Sequence, residues 1–184
     1  NFHKLLVDDK SLVGIVPQDD LVLPELTVEE SLFYSGKLRL HPSTSDEEIW
    51  KQVDRVLQEL DILHIRSSRI GDALRRGISG GQRKRVNLGQ ELISSTTQIL
   101  FLDEPTTGVD PVSRRSLFKM LKSLKGSSMM LTTHRMDEAE SLCDKLVIMI
   151  NGKFVVYGSP SHLKSMYGQG YVITLKHVRD DKVA

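Results

Sequence analysis

The chain has 184 residues, a formal net charge of +1, 39% hydrophobic and 27% charged residues, a balance ordinary for one soluble globular domain. That balance gives no overall drive towards nucleic acid or an anionic membrane surface, and the single cysteine, Cys143, excludes an internal disulfide and fits a reducing compartment. The six histidines show no paired metal-ligand spacing, and no run approaches the roughly 18–20 apolar residues that a membrane helix requires, so any membrane role falls to residues outside this segment.

In chain order, the opening NFHKLLVDDK resembles neither a signal nor a transit peptide and lacks an initiator Met, which predicts an excised fragment. LVGIVP, 12–17, reads as a short strand ended by Pro17. Thr27 with Glu30 and Ser45 with Glu48 are capping-box pairs, each opening a helix; in the second, Ile49, Val53, Val56, Leu57 and Leu60 recur at helical spacing. Residues 27–78 thus predict two helices and a basic loop with no clear strand. A helix follows from about Gly81 to Ser94. QILFLD lacks alternation, which predicts a strand covered on both faces, as in a parallel sheet. SRRSLFKMLKSLKG predicts a helix with Leu117, Leu121 and Leu124 on one face and Gly126 beyond its end. SSMMLTTH is a further strand, MDEAESLC a short helix, and KLVIMINGKFVVYG a hairpin about Asn151-Gly152. Ser159 and Pro160 open a last helix, and YVITLKHV predicts a last strand. Strand and helix alternate from residue 99 onward, which points to an α/β fold with parallel strands and an inserted helical lobe.

Two stretches carry chemistry. In ILFLDEPTTGVD, Asp103 and Glu104 stand together where an apolar strand ends. A carboxylate at a strand end can hold Mg²⁺ through its water shell, and a neighbouring carboxylate can reach a water nucleophile. In ISGGQRKR, Ser79, Gly80 and Gly81 sit where a helix begins. Free N–H groups there favour an anion, although a lone S-G-G reads as an ordinary turn and N-cap and gains functional force only in company. Glu104 alone reads as a solvated loop acid and His134 alone as a structural histidine. Asp8, Asp9, Asp19 and Asp20 read as solvated surface.

Order gives these residues weight. Gln18 follows the first strand; Ser79 comes 61 residues later, Asp103 another 24, and His134 a further 31. The series PQDD, ISGGQ, ILFLDEPTTGVD, LTTH resembles the nucleotide-binding domain of ATP-binding cassette (ABC) proteins over nearly the whole chain. The resemblance implies a P-loop NTPase-like core (1–18 and 95–184) with a parallel sheet, an inserted helical signature subdomain (19–94), and ATP and Mg²⁺ as cofactors. By that resemblance Gln18 is the Q-loop glutamine, near Mg²⁺, and Ile78 to Gln82 is the signature, with Ser79, Gly80, Gly81 and Gln82 facing the nucleotide of a second, head-to-tail domain. Asp103 is the Walker B carboxylate on Mg²⁺, Glu104 the general base, Asp110 the D-loop aspartate and His134 the switch histidine. Transmembrane domains are the other implied partner, docking near the Gln18 loop and residues 23–27, with the domain at the cytoplasmic face of a membrane.

No G-x-x-x-x-G-K-[ST] string occurs in these residues. A strand, the loop and a helix need roughly 24 residues, whereas 17 precede Gln18. The phosphate loop is therefore expected outside this chain, and the resemblance implies that the strands before it and the aromatic that stacks on adenine lie outside it as well. Charge-assisted bonds to phosphate are worth roughly 1.5–3 kcal/mol each, and a loss of about 5.5 kcal/mol lowers affinity about 10⁴-fold. The 184 residues alone are expected neither to bind ATP tightly nor to hydrolyse it.

The stretches from Gly108 to Lys125 and from Thr132 to Leu175 are similar to the A subfamily, many of whose members move lipids, whereas SGGQRKRV is closer to the G subfamily. The arginine and lysine cluster at 66–85 leaves two readings open, a solvated face with domain contacts or a phosphate-binding face on nucleic acid. Few aromatics are interleaved with it, so nucleic acid is not an expected partner. A non-hydrolysing regulatory domain is the third reading, which the intact Gln18, Glu104 and His134 do not favour.

Overall fold

The computed structural model describes residues 12–72, 74–124 and 126–168. They fall into two compact units, the first ending at Met136 and the second starting at Asp137.

The first unit begins with strand β1 (Val13–Val16), followed by helices α1 (Val28–Arg39), α2 (Asp46–Glu59) and α3 (Gly80–Leu92). The capping pairs act as the sequence predicts. Thr27 Oγ1 accepts the Glu30 N–H at 3.3 Å while Glu30 returns a carboxylate to the Thr27 N–H at 2.8 Å. Ser45 and Glu48 do the same for α2. Each box satisfies backbone donors that the first helical turn leaves open. Ile49, Val53, Val56 and Leu57 form the buried stripe of α2, which packs with α1 and α3 around Leu32, Leu60 and Val86. Burying each such side chain contributes about 1.5–3 kcal/mol. Between α2 and α3 the chain makes a short 3₁₀ turn at Leu63–Ile65 and a single bridge from Arg69 to Thr27.

Strands β2 (Ile99–Asp103) and β3 (Ser128–Thr132) flank helix α4 (Pro111–Ser123). The three strands form a parallel sheet in the order β1-β2-β3, with Ile15 level with Phe101 and Phe101 level with Met130. Val16 and Leu102 on one face meet Leu88 of α3 and Leu117 and Leu121 of α4. Coverage of β2 on both faces is not what the described residues show: Ile15 (61% exposed), Phe101 (40%) and Met130 (56%) lie open in one row. The continuous apolar run in β2 therefore has its cover on one side only among these residues. Leu124 also departs from the predicted α4 stripe, since it caps the helix, and Met120 takes the buried place.

The second unit contains most of α5 (Met136–Leu142), the antiparallel hairpin of β4 (Leu146–Ile150) and β5 (Lys153–Gly158), and α6 (Pro160–Tyr167). Asn151 and Gly152 take positive φ values of 50° and 74°, the left-handed pair that a two-residue turn demands and that Asn-Gly supplies at low cost. Ser159 caps α6 by accepting the His162 N–H at 3.2 Å. The predicted strand YVITLKHV lies outside the described residues.

Candidate functional site

Parallel strands put their carboxyl ends on one side of the sheet, where ligands bind in open α/β folds. Register brings Val16 beside Leu102 and Asp103 beside Thr132. Gln18 thus follows β1 by two residues, Asp103 ends β2, Glu104 comes next, and His134 follows β3 by two. Four residues spread over 117 positions of chain are gathered at three adjacent strand ends.

Hydrogen bonds fix the centre of this group. Thr132 donates its hydroxyl to Asp103 Oδ1. The same threonine accepts the Glu104 N–H, at 3.1 Å on its hydroxyl and 3.2 Å on its carbonyl. Glu104 has φ of +43°, a left-handed backbone that side chains seldom adopt. That turn aims the carboxylate at two partners. Thr107 Oγ1 donates to Oε2 at 2.9 Å, and His134 Nδ1 lies 3.1 Å from Oε1. The Thr107 hydroxyl first, and then His134, hold the Glu104 carboxyl below its ordinary range, so it stays ionised at neutral pH. The His134 side chain is 68% exposed.

Asp110 faces its own helix. Its Oδ1 accepts the Val112 and Ser113 N–H groups at 3.0 Å each, the N-cap of α4. Ser113, through its side chain and then its backbone, holds the carboxyl below the usual range.

Ser79 and Gln82 cap α3 reciprocally: Ser79 Oγ accepts the Gln82 N–H at 3.3 Å, and Gln82 Oε1 accepts the Ser79 N–H at 2.9 Å. The S-x-x-Q spacing is itself a capping-box signal, which explains Gln82 without a ligand. Gly80 and Gly81 abut the start of α4. A Cβ on Gly81 would stand 2.8 Å from Ser113 Cβ, and one on Gly80 would stand 3.2 Å from the Gly108 carbonyl oxygen. The hydrogen bonds of Ser79 and Gln82 do not run to Gln18, Asp103, Glu104 or His134, so the described residues form a strand-end group and a separate helix-start group.

The basic cluster is largely spent on internal partners. Arg66 bonds Glu29 at 2.8 Å and Asp54 at 3.2 Å, and Arg75 bonds Glu25 at 3.2 Å. Arg85 is buried, donating to the Leu60 carbonyl at 2.9 Å and to Ser116 Oγ at 2.6 Å. Asp20, expected on the solvated surface, instead pairs with buried Lys84 at 2.9 Å. The two are 64 positions apart in the sequence, so no local pattern announces the pair.

The sequence matches known proteins. The family model described as ABC transporter covers residues 5–107, more than half of the chain. The chain belongs to the ABC transporter family. It is 37% identical over 170 residues to the ABC-type transporter claG of Penicillium crustosum, covering 90% of this chain and 23% of that protein. It is 35% identical over 164 residues to human ATP-binding cassette sub-family A member 2 (89% and 6%), and 38% identical over 154 residues to Arabidopsis thaliana ABC transporter G family member 28 (82% and 14%). The chain thus spans under a quarter of the length of these relatives. Both A and G members are among them, as the mixed motifs predict. The mixed α/β architecture with its parallel sheet is that of an ABC ATP-binding domain. No helix of the described residues is long and apolar enough to cross a membrane.

Among the described residues no group of three or more His, Cys, Asp or Glu is arranged to hold a metal.

Proposed function

We propose that the chain is the C-terminal portion of an ABC ATPase domain whose intact parent hydrolyses MgATP to drive transport across a membrane. The convergence of Gln18, Asp103, Glu104 and His134 on adjacent strand ends carries this reading. Asp103 and Gln18 would hold Mg²⁺, which neutralises phosphate charge during transfer. Glu104 is the base. Its ionised carboxylate accepts the proton of an attacking water once His134 leaves Oε1, and Thr107 keeps the carboxylate oriented through Oε2. His134, released from Glu104, donates a hydrogen bond towards the terminal phosphate.

Ser79, Gly80, Gly81 and Gln82, with Asp110 nearby in the chain's own α4 cap, serve the nucleotide of a second, head-to-tail ABC domain. Transmembrane domains dock near the Gln18 loop at the cytoplasmic face. The A-type character of the C-terminal stretches supports a lipid as cargo. The internal pairing of Arg66, Arg75 and Arg85 argues against a nucleic-acid partner. The 184 residues alone bind ATP weakly, since no phosphate-loop lysine is among them; micromolar affinity in calorimetry would contradict that.

The test of the base is Glu104→Gln in the intact parent. Turnover falls about 10²–10⁴-fold while ATP binding persists. Undiminished hydrolysis would remove Glu104 from this role.

A further inference from the structure

Lys84 lies two residues beyond the signature turn, with its side chain only 5% exposed. Its stem lies among Val16, Leu88 and Leu102. Its ammonium reaches the segment after β1 at two points: it donates to the Gln18 carbonyl oxygen and lies 2.9 Å from Asp20 Oδ1. That Asp20 oxygen is buried and makes no hydrogen bond of its own, which leaves Lys84 as its counter-charge. Two turns further along α3, Glu91 accepts the Ile15 N–H at 3.0 Å and the Arg39 guanidinium. Residues seven apart share a helix face, so one face of α3 grips the strand at Ile15 and the loop at Gln18. A buried charge deprived of its partner is strongly unfavourable, and such pairs are better attested as devices that fix an arrangement than as net sources of stability.

We propose that Lys84 is a positioning residue that locks the Gln18 loop to the signature helix, so that the loop meeting this domain's own Mg²⁺ and the turn facing the partner domain's nucleotide move as one body. This rests on the ATPase reading above. Gln18 is exposed and sits on a bend; without Lys84 its carbonyl loses its anchor and its amide loses a defined place. Because the nucleotide is gripped chiefly by phosphate-loop residues, the loss falls on the chemical step rather than on ATP binding.

The experiment uses the intact transporter with variants Lys84→Met, Lys84→Arg, Asp20→Asn and, as control, Glu104→Gln, measuring steady-state kcat and KM for MgATP. Lys84→Met lowers kcat about 10²-fold, as an ångström-scale misplacement does, with KM within about threefold of wild type. Lys84→Arg recovers most of kcat because a cation still reaches both oxygens. Asp20→Asn, which keeps the side-chain shape, lowers kcat with KM unchanged. A wild-type kcat in Lys84→Met overturns the proposal, as does a loss that Lys84→Arg does not relieve. If Lys84→Met fails to fold, wild-type kcat in Asp20→Asn overturns it. Glu104→Gln separates the levels: if that variant still hydrolyses ATP, the ATPase assignment fails first; if it is dead while the Lys84 and Asp20 variants are normal, the positioning role alone fails.

Discussion

Replacing Gly81 by Ala adds a methyl group where the start of α3 meets the start of α4. The new Cβ would stand 2.8 Å from Ser113 Cβ, 3.3 Å from Ser113 Oγ and 3.5 Å from Val109 Cγ1. The first distance is well inside carbon–carbon contact, whose optimum is about 3.5–4.0 Å, so the helices must part by several tenths of an ångström. Overpacking of this kind costs about 1–3 kcal/mol, against a gain of up to about 1 kcal/mol from replacing a helical glycine. About 1 kcal/mol of net destabilisation remains, a lowering of Tm by about 2–4 °C for a chain of this size. Urea unfolding of the 184-residue chain measures it. Ser113→Gly removes the two nearest of these atoms, so Gly81→Ala and Ser113→Gly should couple favourably by about 1 kcal/mol in a double-mutant cycle. An alanine at 81 that leaves stability unchanged, or additive effects of the two changes, would refute the packing argument. The glycine would then be needed for a ligand's approach and not for Ser113.

Leu57→Ala empties part of the buried stripe between α1, α2 and α3 and should cost about 2–5 kcal/mol in urea unfolding. Asp110→Ala should destabilise the chain at neutral pH, and Asp110→Asn less, because Asn keeps a capping acceptor. The Asp110 carboxyl is held below its ordinary 3.8, by the Ser113 side chain first. Its contribution is therefore full above that value and is lost as pH falls through the lower folded-state value. The gap between wild type and Asp110→Ala should close only at strongly acidic pH; a gap that closes near neutrality would be inconsistent with this cap.

Local chemistry was the part most readable in sequence. Thr27 with Glu30, Ser45 with Glu48, and Asn151-Gly152 act over three residues or fewer, and each forms as its pattern requires. Motif order carried the strand-end group, because strand ends are where a parallel sheet presents polar residues. Long-range and tertiary terms escaped. The Lys84–Asp20 pair and the burial of Arg85 and Glu91 depend on helix α3 lying across β1 and beside α4, which no spacing encodes. The open row of Ile15, Phe101 and Met130 looks in sequence like any covered strand, since apolar runs record what can be buried and not what lies opposite. The reciprocal cap of Ser79 and Gln82 follows the S-x-x-Q pattern, with the two glycines lying between its partners.

The most direct test of the central claim is a cryo-electron microscopy structure of the intact parent carrying Glu104→Gln, prepared with MgATP. The account predicts a triphosphate over the carboxyl ends of β1, β2 and β3, with Mg²⁺ between it and Asp103 and Gln18, and His134 turned to the terminal phosphate. A nucleotide bound elsewhere, with Gln18, Asp103 and His134 all remote from it, would contradict the account.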